Sequence, residues 1–225
     1  MMRRILVPLV FGVVGFAILM SLGFWQLRRL EWKEGLIAEI EGRIDAPAVA
    51  LPEVPDREAD RFLPVRTKGR TTGDEVYVVT STPETGPGFR LLSAFETDGG
   101  RRILVDEGFI RTSEAEIERP ATSMTVTGNL QWPAETDGFT PDAEEATGIW
   151  YARNVDGIAA ALGTEPVLVV ARTVTGADAR ATPLPVTTTG ISNDHLGYAV
   201  QWFGLALVWA GMTAFLLWRI HRRTD

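Results

Sequence analysis

Apolar positions fall into distinct regimes along the chain. At each end lies an unbroken run, Ile5 to Trp25 and Tyr198 to Trp218, each 21 positions long without a charged side chain. As a helix either run reaches about 31 Å, the thickness of one hydrocarbon core, and both predict membrane spans. Past Gly23 the sequence continues "GFWQLRRLEWKEGLIAEIEGRI", where Leu27, Leu30, Ile37, Ile40 and Ile44 recur near helical spacing among charges. That pattern predicts an amphipathic helical extension, ended by Asp45 and Pro47. The proline-spaced "DAPAVALPEVPD" then reads as an extended connector. After it, short strand-like runs alternate with turn signals: "FLPVRTKGRT", "EVYVVTST", "GFRLLSAFE", "RRILVDEGFI", "SMTVTGNLQW" and "EPVLVVARTV". The third and fourth make the clearest hairpin, with Asp98, Gly99 and Gly100 suited to the positive φ of a tight turn. One short helix fits "NVDGIAAALG", closed by Gly163.

The predicted fold class is a membrane protein with two transmembrane helices and, between them, an α+β, mainly antiparallel β, extracytoplasmic domain. Its segments are a cytoplasmic N-terminus (1–4), a first span (5–25), the outer domain (26–197, with 26–44 as the helical extension), a second span (198–218) and a cytoplasmic tail (219–225). A cleaved signal peptide is the other reading of the first run, since Arg3 and Arg4 precede it. No A-x-A-like site closes that run, however, and the helical pattern continues beyond Trp25.

Charge refines this picture. Residues 26–197 hold 17 of the 22 basic and 28 of the 29 acidic side chains, a balance of −11. Arg3 and Arg4 before the first run and Arg219, Arg222 and Arg223 after the second put both termini in the cytoplasm by the positive-inside rule, against Arg28, Arg29 and Lys33 just past the first run. An acidic domain offers nucleic acid no basic face. The chain has no cysteine, which excludes C-x-x-C-H haem attachment and thiolate metal sites and leaves the outer domain to its own core. No Arg- and Ser-rich transit stretch precedes the first run, which points to a multi-pass protein of the bacterial inner membrane with its central domain in the periplasm.

Material for catalysis is poor. The outer segment has no histidine besides His195, no G-x-S-x-G, and only Lys33 and Lys68 as amines. Asp106 and Glu107 are neighbours on a strand, point to opposite faces, and read as a solvated strand end rather than a working pair. No catalytic residue is assigned, and a non-enzymatic role leads over a membrane-anchored enzyme.

The second apolar run carries two stripes. His195, Trp202 and Trp209 recur every seven residues, and Gly197, Gly204 and Gly211 do so two positions later, about 200° around a helix. Ala206, Ala210 and Ala214 add a row of small residues suited to close helix approach. The glycines read as a surface that packs on the first span, which supplies Gly12 and Gly15, or as one for a flat cofactor. Trp25, Tyr198, Trp202 and Trp218 fit interfacial belts, and Gln26 and Gln201 lie at similar depth, within reach of a mutual hydrogen bond. Asn193 or Asp194 caps the second helix and leaves His195 in its first turn. On residue physics alone His195 is either a polar side chain reaching to the interface or a metal ligand, the latter through its uncharged imidazole.

Several stretches, in order between two terminal spans, carry a resemblance: "LGFWQLRRLEWKEGLI", "GFRLLSAF", "GRRILVDEGFI", "TGNLQWP", "FTPD", "IWYARNVDGIAAALG" and "NDHLGYAVQWFGLAL". The chain resembles the Surfeit locus protein family of cytochrome c oxidase assembly factors over nearly its whole length. The resemblance implies a biogenesis factor that binds haem a non-covalently at the outer membrane interface and assists its insertion into oxidase subunit I. Its implied partners are that subunit, haem a synthase and the lipid bilayer. His195 matches the family's implicated haem residue and so takes the role of axial ligand to the iron. Gly23 matches the glycine of the "GFWQ" stretch and Tyr198 the tyrosine of "YAVQWF". Trp25, Gln26 and Trp202 join them as residues lining the cofactor. Arg28 and Arg29 read either as partners of its propionates or as interfacial anchors. Where relatives often read "VDRGWV", this chain has "VDEGFI", with Glu107 and Phe109. The alternative reading keeps the oxidase role but makes the protein a haem-free scaffold.

Overall fold

The computed structural model describes residues 2–222 apart from 84, 116, 145, 177–179 and 190, and apart from the side chains of residues 2–4. It forms two compact units, Met1–Glu39 with Thr188–Asp225, and Ile40–Thr187. In chain order the elements are α1 (Met2–Ile44), β1 (Val49–Ala50), β2 (Pro64–Thr82), β3 (Gly86–Thr97), β4 (Arg102–Arg111), a 3-10 turn (Thr112–Glu114), β5 (Ser123–Gln131), β6 (Ile149–Trp150), α2 (Val155–Leu162), β7 (Leu168–Thr175) and α3 (His195–Arg222). α1 and α3 are both long and apolar enough to cross a membrane, and each keeps almost all of its apolar surface outside the protein's own core. Such a surface is stable in lipid and costly in water. The chain is a two-span membrane protein with a mainly antiparallel β domain between its spans.

That domain closes on itself. β2 pairs antiparallel with β3 along its second half and with β5 along its first. β3 pairs with β4, β4 runs parallel to β7, and β7 pairs with β5. The circuit β2-β3-β4-β7-β5-β2 is a five-stranded barrel with the strand order and directions of an OB-fold. "FLPVRTKGRT" and "EVYVVTST" read from sequence as two strands. They form one strand because the register shift between Thr71 and Glu75, with Gly73 at φ +92°, bends β2 without ending it. The connector holds one short parallel contact, β1 to β2. The β3–β4 hairpin forms, with positive φ at Gly100 alone of the three turn residues. α2 starts at Asn154, whose side chain accepts from the Gly157 N–H, and stops at Gly163 in the left-handed region.

Alternation along the strands fills two layers. Val65, Phe95, Ile103, Val105, Val126, Leu130 and Val169 meet in one cluster, the barrel interior. Leu92, Leu104, Leu168 and Val170 face outward and are covered by Val155, Ile158 and Ala159 of α2. β4 and β7 are therefore buried on both sides, which explains their continuous apolar runs. Asn129 ties the start of the domain to the wall, its Nδ2 donating to the carbonyls of Ile44 and Phe62.

Asp106 and Glu107 do not form a solvated strand end. Both are buried, Asp106 at 0 % and Glu107 at 3 % exposure. The reason is a bulge: Asp106 pairs with Leu92 and Gly108 with Leu91, leaving Glu107 as the extra residue. Gly108 takes φ +118° there, and a Cβ on it would lie 2.0 Å from the Thr182 carbonyl oxygen. Asp106 accepts from Arg90 at 2.6 Å and has Arg153 at 3.7 Å, while Arg153 also donates to Glu135. Glu107 accepts from Ser93 Oγ at 2.5 Å and faces Arg180 Nε at 3.3 Å. Arg180 and Arg119 both pair with Glu75, which also accepts from the Tyr77 hydroxyl. Burial and that hydrogen bond push the Tyr77 phenol up to about 12. Buried ions survive only with partners, and each of these carboxylates has them.

Two measurements test this frame. A Cβ on Gly69 or Gly128 would lie 2.0 Å from the Glu96 carbonyl oxygen or 2.1 Å from that of Val170, whereas Gly138 faces open space. Gly69→Val and Gly128→Val are expected to destabilise the barrel by about 1–3 kcal/mol, with Gly138→Ala silent, in thermal unfolding followed by near-ultraviolet circular dichroism. Burial raises the Glu107 carboxyl above its ordinary value of 4.5, against the pull of Arg180 and Ser93. The folded state then holds that proton more tightly than the unfolded state, so stability falls as pH rises above the ordinary value. Glu107→Gln removes the titration and is expected to flatten the fall in stability that the wild type shows as pH rises above 4.5, followed by thermal unfolding across pH.

Candidate functional site

The two long helices of the other unit are antiparallel partners. α3 presents a seam at alternating spacings of four and three: His195, Ala199, Trp202, Ala206, Trp209, Thr213. Ala199 and Ala206 are fully buried, and the larger residues alternate with them. This is the 3.5-residue repeat by which helices keep one face in contact. α1 answers with glycines. A Cβ added to Gly12 would lie 2.1 Å from Thr213, one on Gly15 2.5 Å from the Trp209 indole, and one on Gly23 2.4 Å from the Phe203 ring. The notch lets Trp209 Nε1 donate to the Gly12 carbonyl at 2.9 Å, which satisfies an indole N–H in an apolar setting.

The stripe Gly197, Gly204, Gly211 does not pack on the first span. Nothing lies within 4 Å of a Cβ built at any of the three. Small residues do let the helices approach, but they are Gly12, Gly15 and Gly23 on α1 with Ala199 and Ala206 on α3. Periodicity defines a helix's faces without saying which one meets its neighbour, and the aromatic stripe is the inward one. The glycine face also points away from His195, so those two features do not line one surface.

At the far end of the seam the contacts become polar. Gln26 Oε1 lies 2.8 Å from His195 Nδ1. The predicted Gln26–Gln201 bond is not made: Gln26 is buried against His195, and Gln201 is exposed. Two turns further along α1, Lys33 Nζ donates to the Ser192 carbonyl, and Ser192 Oγ donates to Asp194 at 2.6 Å. The Asp194 carbonyl accepts from the Tyr198 N–H, so α3 begins immediately after Asp194 and His195 sits in its first turn. His195 is half-buried, and no described residue hydrogen-bonds its Nε2. Asn193 Oδ1 is a buried acceptor without a partner among the described residues.

The structure thus brings together Gly23, Gln26 and His195, with Trp202 half-buried on the same stripe. Trp25 and Tyr198 are about half exposed and turn away from the seam. Arg28 and Arg29 are exposed, and the Arg29 guanidinium lies 4.3 Å from the centroid of the Trp32 ring. Phe203 and Ser192 were not singled out from sequence; Asn193 was read only as a helix cap and Lys33 only as a charge and an amine past the first run, neither as part of this site. Lys33 lies one heptad past Gln26 on α1, which is the pattern that identifies it. No group of three or more His, Cys, Asp or Glu side chains suited to a metal ion occurs among the described residues. A porphyrin brings four ligands of its own and asks the protein for only one or two.

The packing predicts a contrast. Gly15→Leu must evict the Trp209 ring, exposing roughly one of the chain's seven tryptophans to lipid. Quenching of tryptophan fluorescence by brominated lipid is expected to rise accordingly, and to stay at the wild-type level in Gly204→Leu.

Residues 13–207 match the SURF1 family. The chain is 27% identical to Surfeit locus protein 1 of Rattus norvegicus over 91% of its own length and 72% of the relative's. It is 27% identical to a SURF1-like protein of Rickettsia conorii, covering 93% and 89%, and 28% identical to Surfeit locus protein 1 of Homo sapiens, covering 83% and 69%. With the family match running from inside the first span, through the barrel, into the second, the chain belongs to the SURF1 family.

Proposed function

We propose that this chain is a cytochrome c oxidase biogenesis factor that holds haem a at the outer membrane interface and assists its insertion into oxidase subunit I. The observation that carries the reading is the His195 imidazole: its Nδ1 is engaged by Gln26, while its Nε2 has no hydrogen bond from a described residue. An uncharged imidazole with one nitrogen anchored and the other open is the form in which histidine binds a metal. Haem, if bound, would supply an iron centre that the His195 imidazole would hold through its open nitrogen. With no cysteine in the chain, retention depends on a side-chain ligand and on packing, both of which are reversible and suit a carrier. Trp202, on the same stripe as His195, offers an aromatic face, and Asn193 Oδ1 a buried acceptor awaiting a donor.

In this role the chain performs no bond-making chemistry. The helices bind and orient, and the barrel presents an acidic surface in the periplasm to subunit I and to haem a synthase. Arg28 and Arg29 are exposed cations suited to propionates. Protein purified from cells that make haem a is expected to show a haem absorption band. His195→Ala is expected to lose it or weaken it at least tenfold, and an unchanged haem content in that variant would remove His195 as the ligand.

A further inference from the structure

Among the described residues of the helix pair, Gln26 is the one buried polar side chain, at 9 % exposure. An amide in such a place costs stability unless its hydrogen bonds are made. With Oε1 turned to the ring at 2.8 Å, this amide can only accept there, and the arrangement matches an imidazole that carries its proton on Nδ1. The lone pair of the neutral ring is then on Nε2. Two further contacts fix this geometry from either side. Gly23, less than one turn before Gln26, is closed against the Phe203 ring, and Lys33, two turns after it, holds the Ser192 carbonyl three residues before His195. The bond is therefore set by helix packing rather than by a mobile side chain finding a partner.

We infer that Gln26 is the positioning residue for His195: it fixes the Nδ1–H tautomer before any ligand arrives, and as an amide it keeps the Nε2 donor weak enough for the ligand to be passed on. The second half rests on the haem reading; the first does not. A carboxylate at this place would draw on the Nδ1 proton and strengthen the ring as a donor, as it does for histidines that retain their metals. An uncharged amide holds the tautomer without that gain. Gln26 thus acts through His195 and does not need to touch the cofactor, in contrast to the lining role its sequence position suggests.

The first test needs no haem. Ring nitrogen chemical shifts of 15N-histidine in the ligand-free full-length protein, with His221→Gln to leave one signal, are expected to show Nδ1 protonated. They are expected to lose that preference in Gln26→Leu and keep it in the near-isosteric Gln26→Glu. An Nε2-protonated ring in the wild type would overturn the inference while leaving the haem reading intact. The second test uses haem-loaded protein and follows transfer to apomyoglobin. Gln26→Leu is expected to bind haem about 10–100-fold more weakly. Gln26→Glu is expected to release it more slowly and to have a lower reduction potential. Equal release rates and potentials in wild type and Gln26→Glu would overturn the donor-strength half. Failure of the wild type to bind haem, with Nδ1 still protonated, would sink the haem reading and leave the tautomer assignment standing.

Discussion

One strand paired along both edges holds the β domain together. β2 reaches β3 with its second half and β5 with its first, and it manages both because it bends at Gly73. Closure satisfies the backbone groups that an open sheet would leave at its rims, and it creates an inside. Everything else in the domain follows from having an inside and an outside. Alternate residues of β4 and β7 go to the barrel interior or to the layer under α2, and the bulge at Glu107 places one carboxylate with each group of arginines.

The helix pair obeys a different constraint. In hydrocarbon there is no water to drive apolar faces together, so association depends on close fit and on polar groups with no other partner. Glycine notches on α1 supply the fit to the rings of α3. The Trp209–Gly12 and Gln26–His195 contacts supply the polar part. One lies well along the seam and the other near its end, and the second leaves an imidazole nitrogen for use. The packing that joins the helices is thus also what orients the candidate ligand.

Much of this was legible in the sequence. Long uncharged runs permit little besides a span, the β3–β4 hairpin is written in a two-glycine turn, and α2 in its Asn154 and Gly163 caps. The barrel was not legible, because which strands meet is decided by contacts between residues far apart in sequence. The break expected between the two halves of β2 was a bend, since turn residues mark a change of direction and not its size. The buried pair at 106 and 107 was missed because alternation assumes a regular strand. For the site, His195 and its stripe were visible, but its partner was not. Gln26 is distinguished from Gln201 only by lying on the seam, and the seam shows itself in the four-three spacing of Ala199 and Ala206 around the aromatic residues. The motifs that carry the family likeness turn out to be largely architectural: Arg153 and Asn154 of "IWYARNVDG" and Asn129 of "TGNLQWP" all serve the barrel.

The carboxylate at Glu107 has a consequence for how such a chain changes over time. Its charge is sealed inside the barrel with Arg180, and Arg180 is shared with Glu75. Reversing the sign at 107 alone would bring three cations around a single remaining carboxylate, in a place where charge cannot be diluted by water. Position 107 is therefore coupled electrostatically to position 180, which lies beyond the last barrel strand. A lineage crosses from one sign to the other by passing through an uncharged residue or by changing both together.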